Sequence, residues 1–501
     1  MRPMRRALCA LMLLVLVLAS ACTRTGEASG AGADLRVGAT AIPDSMDPTT
    51  NSAAAIPQAL LYNVYETLVK LDGDGNIRPL LAKEWSVSAD RLTYTFTLQS
   101  NAKFASGDPV TAQDVVDSIQ RIQTDSSVTP VNKSQMSVVQ TVTATNSTTV
   151  TVVLKQPSNN WLYWMTSTAG IIIDPSGFAN LATTPAGSGP YVLKQWNKGD
   201  SVVLAKNPSY WGTPGRFDTV TFKYFADPNA ENAAMLSGDL DVISELAAPQ
   251  ALSQFSDTSR FQVITGTTNG EVVLGFNDSK APFNNVAVRQ AICYGIDRKA
   301  LLDTVWAGQG TLIGSMVPPT DPWYQDLSGA YPYDPDKAKQ LLASAGFGSG
   351  LTVTLTVPTL PYATGSEQLI VSELAQIGIT VKVNEIDFSR WLDQVFTQGD
   401  YQMTIMDHVE PRDIVKWADP TYYWHYNNAD FQKLVAQADQ ATPEDQVTMM
   451  EQAAKMLSDD AAADFLWLMP SIVIATPDLT GIPKNQIGLS FDLTTIASRN
   501  S

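Results

Sequence analysis

The chain has 501 residues, with 50 acidic against 33 basic side chains and a net charge of −17. That balance argues against nucleic acid or an anionic surface as partner; its plainest role is to keep a secreted protein soluble. With only 3 cysteines, one of them in the leader, the fold does not depend on a disulfide framework, and a chain of this length, about three domain-sized units, can bury a core without one.

In chain order, Arg2, Arg5 and Arg6 precede an apolar run over 7–18 and then Ala19-Ser20-Ala21-Cys22. This reads as a secretory signal peptide, residues 1–21, and the run falls short of the roughly 20 apolar residues of a membrane-spanning helix. Cys22 resembles a bacterial lipobox cysteine, with Ala19 where Leu is usual. Acylation there, followed by a polar Gly- and Ser-rich tether over 22–33, would hold the protein on a membrane without spanning it. Asp72-Gly73-Asp74-Gly75-Asn76 reads as a hairpin turn, because its glycines are misplaced for a calcium loop and the bidentate Glu is missing. Leu92, Tyr94, Phe96 and Leu98 alternate with threonines as a half-buried strand. After a turn at Gly107-Asp108-Pro109, Thr111 and Asp114 form a capping box for a helix carrying Val115, Val116, Ile119 and Ile122. Strands at 141–145 and 149–154 form a hairpin turning at Asn146-Ser147. A return strand follows Gly187-Ser188-Gly189-Pro190-Tyr191, and 207–212 is a turn with an aromatic anchor.

The second half alternates helix and strand. Asp334-Pro335 caps a helix that stops at Gly346; strands are predicted at 351–357, 379–383 and 401–406, with helices at 367–377 and 391–396 between them. Strand, helix, strand, helix, strand implies a right-handed crossover lobe with a parallel sheet.

The run Pro79-Leu80-Leu81-Ala82, Trp85, Thr93-Tyr94-Thr95-Phe96, Lys103-Phe104, Gly107-Asp108-Pro109 and Ala112-Gln113-Asp114-Val115 closely resembles the family 5 extracellular solute-binding proteins, receptors of peptide and nickel ABC importers. Residues 187–191, 207–212 and 282–292 resemble the same family. The resemblance implies an α/β, two-lobe, periplasmic-binding-protein-like fold (type II, cluster C) with an extra N-terminal subdomain. It implies lobe I over 34–78, 186–270 and 471–501, the extra subdomain over 79–185, and lobe II over 271–470. The chain would cross between lobes near 268–275 and return near 468–478. It implies a monomeric receptor on the outer face of the cytoplasmic membrane, handing a short peptide or peptide-like solute to a permease with ATPase subunits, and needing no cofactor.

Catalytic signatures are missing: there is no Gly-x-Ser-x-Gly, His-Glu-x-x-His, Cys-x-x-Cys or Walker loop. An enzyme is not expected, and a secreted hydrolase is the rival from another class. The ligand is expected at 407–426, beyond a strand's carboxyl end, where Trp417, Tyr422, Tyr423, Trp424 and Tyr426 crowd beside Asp407, His408, Glu410, Arg412 and Asp413. An aromatic core under a charged loop would give the same pattern. Relatives place an acid after this strand to pair with a peptide amine; Glu410 is the nearest match and Asp413 the second, although Asp407-His408 replaces the usual Gly-Trp. Arg412 or Arg390 could receive a carboxylate. Ser45, Met46, Tyr62 and Asn63 match segments that reach the cleft from the other lobe. His408 and His425 beside carboxylates leave nickel or a metal chelate as an alternative cargo.

Overall fold

In the computed structural model, which describes residues 34–499, an eleven-stranded sheet forms the spine. The expected signal peptide, Cys22 and the tether lie outside the described residues. The strands, in chain order, are β1 (Asp34–Ala39), β2 (Tyr191–Asn197), β3 (Ser201–Lys206), β4 (Thr219–Tyr224), β5 (Val242–Ile243), β6 (Gln262–Phe276), β7 (Thr311–Leu312), β8 (Leu351–Pro358), β9 (Ile379–Ile386), β10 (Met403–His408) and β11 (Ala463–Ala475). Their order across the sheet is β2-β3-β4-β1-β5-β11-β6-β10-β8-β9, with β7 added on β11.

Two strands are unusually long: β6 has 15 residues and β11 has 13, against a common length of about 5–6. They pair antiparallel from Gln262 opposite Ala475 to Thr267 opposite Pro470, slip, and resume at Glu271 opposite Leu468. On one side of the slip β11 carries β5; on the other, β6 carries β10. The first half adds β1 and β4 in parallel pairings, and the second half is the parallel set β8, β9 and β10.

The directions matter. β5 runs against β11, whereas β10 runs against β6 and therefore along β11. The carboxyl ends of the two halves thus point towards each other. Just past β5, Leu246 N–H donates to Ile472 O at 2.8 Å. His408, the last residue of β10, lies across Glu271 from Leu468. Both lobes aim the ends of their strands at residues 468–472.

The second half follows the expected crossover pattern. Asp334 caps its helix by accepting from Lys337 N–H at 2.8 Å. The next helix spans Pro361–Gln376, opening earlier than its apolar stripe because Pro361 sits at its first turn. Residues of β6 alternate between two cores, with Val272, Leu274 and Phe276 on one face and Val273 on the other. In the first half, Val37, Leu204 and Phe222 share a core with Phe491 and Ile496 from the end of the chain.

A separate four-stranded antiparallel sheet orders Ala82–Val87, Thr93–Leu98, Thr149–Leu154 and Val139–Asn146. Helix Ala112–Thr124 packs on it, and the Asp114 carboxylate accepts from both the N–H and the hydroxyl of Thr111 at 2.7 Å. The Asp72 turn joins a hairpin, with Asp72 accepting from Asp74 N–H at 3.0 Å and Asn76 N–H at 2.9 Å. The segments at 187–191 and 207–212 meet around Glu66, which is buried and accepts from Ser188, Tyr210 and Trp211. Burial pushes the Glu66 carboxyl up to about 7 despite those three donors. Gly187 and Gly189 let this segment lie against the backbone of Asn63 and Val64, where a Cβ would come within 1.9 Å and 2.5 Å of a carbonyl oxygen.

Gly275, the residue before the last of β6, has the Trp424 ring 2.2 Å from where a Cβ would stand. Gly275→Ala should therefore lower stability by about 1–3 kcal/mol through overpacking, read as a shift of the urea midpoint. Gly73→Ala, with nothing within 4 Å, should stay within about 0.5 kcal/mol of the parent. Equal midpoints for the two variants would contradict this packing.

Candidate functional site

The aromatic residues of 407–426 belong to the second lobe's core. Trp417 and Trp424 stack with centroids 4.7 Å apart and an interplanar angle of 5°, and both are buried with Tyr423 and Phe465. Their rings are covered by packing, and the Tyr423 hydroxyl turns towards the loop. A chain of polar contacts starts there. Tyr423 Oη lies 2.7 Å from His408 Nε2, and His408 Nδ1 lies 2.8 Å from Asp413 Oδ2. Asp413 Oδ1 in turn lies 2.8 Å from Lys416 Nζ, which also reaches Glu410 at 3.1 Å. Burial pushes the Asp413 carboxyl up, but Lys416 and His408 outweigh it and hold the carboxyl below its usual range. Burial pulls Lys416 down, yet Asp413 and Glu410 keep it well above an ordinary lysine. Glu410 and Asp413, the two expected amine anchors, are thus both paired with this lysine.

Arg412 takes a left-handed backbone, φ 56°. Its guanidinium lies over Tyr163, 3.9 Å from the centroid, and 4.9 Å from that of Trp323. It also donates to Asn160 at 2.9 Å. Arg412 therefore joins the second half to the four-stranded subdomain that carries Asn160 and Tyr163. Arg390 is exposed, in the short helix after β9. Among the residues expected from the other lobe, Met46 and Asn63 are buried. Asn63 accepts from Leu493 N–H at 3.0 Å and donates to Phe491 O at 2.9 Å. The Tyr62 hydroxyl donates to Thr166 O at 2.5 Å and accepts from Leu71 N–H at 3.1 Å. Ser45 Oγ accepts from Asp47 N–H at 3.1 Å. Each of these four has an architectural contact.

The two histidines occupy opposite ends of β10. His408 ends the strand; His425 lies against Gly399, before the strand begins, and lines a groove of about 670 Å³ with Asp278, Asn284, Asn428 and Asp460. A metal held by both histidines does not fit this arrangement. His408, Glu410 and Asp413 do bring ligand atoms within 4.8 Å of one another. Both His408 nitrogens already have partners, however, and Lys416 supplies the positive charge.

At the junction of the strand ends lies a set of acids that motif reading missed. Glu271 is 1% exposed, opens the otherwise apolar run of β6, and its Oε2 has no hydrogen-bond partner. The same holds for Asp407 Oδ1 on β10 and for Asp321 Oδ2. Burial pushes Glu271 well up, and Asp413, Asp321 and Asp407 push it further. Burial, with Glu245 and Glu410, raises Asp407 to about 8. Asp321 reaches about 6, with Arg412 opposing the burial effect. The one sequence signal was a Glu heading a Val-Val-Leu strand, since an acid there must be buried.

The paired and unpaired acids should behave differently. Asp413→Asn leaves Lys416 buried with a single partner and should cost about 3 kcal/mol at pH 7. The folded Asp413 carboxyl lies below its unfolded value, so its contribution is present above about pH 4 and is lost as pH falls through the folded value. Urea midpoints of parent and variant should converge between pH 7 and pH 3; a constant gap would contradict the ion pair.

The model of the bacterial extracellular solute-binding proteins, family 5 middle, matches residues 76–438. The chain is 29% identical over 472 residues to the probable D,D-dipeptide-binding periplasmic protein DdpA of Escherichia coli K12, covering 86% of this chain and 88% of that one. It is 28% identical over 352 residues to the glutathione-binding protein GsiB of Salmonella typhi, covering 69% and 68%. The structure of DppA from Helicobacter pylori in complex with the peptide STSA superposes with a TM-score of 0.82 at 22% identity, covering 93% of this chain and 98% of that one. The type II periplasmic-binding-protein fold and the extent of the family match lead to one conclusion: the chain belongs to the family 5 bacterial extracellular solute-binding proteins of ABC importers.

Proposed function

We propose that the protein is the lipid-anchored receptor of an ABC importer that closes on a short peptide or peptide-like amine and delivers it to a membrane permease. The observation that carries this reading is the convergence of strand carboxyl ends from both halves on residues 468–472, beside carboxylates with unpartnered oxygens. A solute held there touches elements of both lobes, so its contacts favour the closed arrangement over the open one. The lobes are taken as 34–270 with 471–501, including the extra subdomain at 79–185, and 271–470. Peptide-binding relatives support the solute class.

The remaining link between the extra subdomain and the second lobe suits an opening hinge, being polar and small. Arg91 donates to Gln440 O at 2.9 Å and to Ala441 O. Asn159 donates to Ala438 O at 3.1 Å and Ala441 O at 2.9 Å, while Asn160 N–H donates to Asp439 at 2.9 Å. These contacts cap the end of helix Ala429–Gln440. Each is worth about 0.5–1.5 kcal/mol.

Two measurements test the reading. A solute at a hundred times its dissociation constant should stabilise the mature protein by about 2.7 kcal/mol in a thermal shift; no shift with di- to hexapeptides, amines or nickel chelates would refute the receptor. The double variant Arg91→Ala, Asn159→Ala should weaken solute binding about 5- to 30-fold and enlarge the unliganded particle in small-angle scattering, since it loosens closure without touching the junction. Unchanged affinity and size would remove closure from the account. For the anchor, Cys22→Ala should release the protein from the membrane fraction.

A further inference from the structure

Buried carboxylate oxygens without hydrogen-bond partners run on from the junction into the first lobe. Glu231, fully buried on helix Pro228–Ser237, leaves both oxygens unpartnered. Its Oε1 sits 2.9 Å from where a Cβ on Gly38 of β1 would stand. Glu245, which follows β5, acts electrostatically on both Glu231 and Asp407, and Asp407 and Asp321 both act on Glu271. Gly270 gives Asp407 its room, for a Cβ there would lie 2.8 Å from Asp407 Oδ1. The row therefore crosses from one lobe to the other along the strand ends.

The charges facing this row are few. Arg412 faces Asp321 but is stacked on Tyr163 and Trp323. Lys416 is committed to Asp413 and Glu410, the acids that flank the row. Tyr362 faces Asp407 and stays neutral, since burial raises its hydroxyl pKa. Five carboxyl groups thus meet one cation, and that cation is already held. Unpaired carboxylates buried in this way take up protons instead of staying charged. Burial raises Asp321 to about 6 and Asp407 and Glu231 to about 8.

We propose that Glu231, Glu245, Glu271, Asp321 and Asp407 are the specificity-determining wall of the cleft and select a linear solute with two or more protonated basic nitrogens. The inference rests on the receptor reading above. Ammonium or guanidinium groups spaced along such a solute meet successive carboxyl groups in charge-assisted hydrogen bonds. Each protonated carboxyl that gains a cation gives its proton to solvent, so binding releases protons and tightens as pH rises through about 6 to 8. A basic peptide and an aliphatic polyamine share this chemistry.

The test is titration calorimetry of the full mature protein with four probes: Lys-Lys, spermidine, Ala-Ala and Asp-Ala. Each is run at pH 6.0 and pH 8.5, in phosphate and in Tris, whose different ionisation heats report proton release. Lys-Lys, spermidine or both should bind at least about tenfold tighter than Ala-Ala, more tightly at pH 8.5, with buffer-dependent heat. Whichever cation binds identifies the source. Glu271→Gln and Asp407→Asn should each cost at least about tenfold for the cation without lowering the melting temperature of the unliganded protein, since each removes a buried unpaired carboxyl. Ala-Ala or Asp-Ala binding as tightly as the cations, insensitive to both variants, would overturn this inference and leave the receptor reading standing. Silence from all four probes and from a wider peptide and chelate screen would overturn both.

Discussion

Everything in this molecule hangs on the antiparallel pairing of β6 and β11. They are the strands shared by both halves of the main sheet, and on the two sides of the slip in register at 268–270 β11 carries β5 and β6 carries β10. The slip leaves residues 268–270 outside the ladder, where Thr268 bonds to Met469 O at 2.7 Å and Gly270 N–H to Thr268 at 2.9 Å. Because the halves approach this point from opposite directions, it is also where strand ends free of neighbours face each other. In the receptor as proposed, this break serves both as the hinge between the lobes and as the place where the solute binds.

Local chemistry made much of the fold legible. The Thr111–Asp114 box, the Asp72 turn, the Asn146 hairpin and the Asp334 cap depend on residues close in sequence, and all appear as expected. The crossover order of β8, β9 and β10 followed from period and spacing, and the family phrases extended that to the whole architecture. The α/β fold and the family membership were thus readable before any coordinates.

The site was legible only in part, for physical reasons. A carboxylate seen in sequence does not announce its partner. Glu410 and Asp413 looked like free anchors, and Lys416, close by in the chain, takes them both. The crowd of aromatics at 417–426 has the composition of a solute pocket and equally of a core, and packing against Gly275 and Phe465 decided for the core. Arg412 was noticed as a carboxylate receiver, but its stacking on Tyr163 depends on contact between distant parts of the chain. Glu231, Glu271 and Asp321 sit in segments without any motif; what marks them is burial without a partner, which no spacing reveals.

Those buried acids also link function to stability. Their folded pKa values are raised, so each contributes stability that is present below its unfolded value and lost as pH rises through the folded one. Near neutral pH the unliganded protein carries that cost, and a cation in the cleft removes it. The most direct check on the account is hydrogen–deuterium exchange of the mature protein with and without a saturating solute. Protection should rise together at 243–246, 268–271, 320–323 and 407–412, the segments that meet at the junction. Protection confined to the groove around His425 and Asn428 would place the solute elsewhere and contradict it.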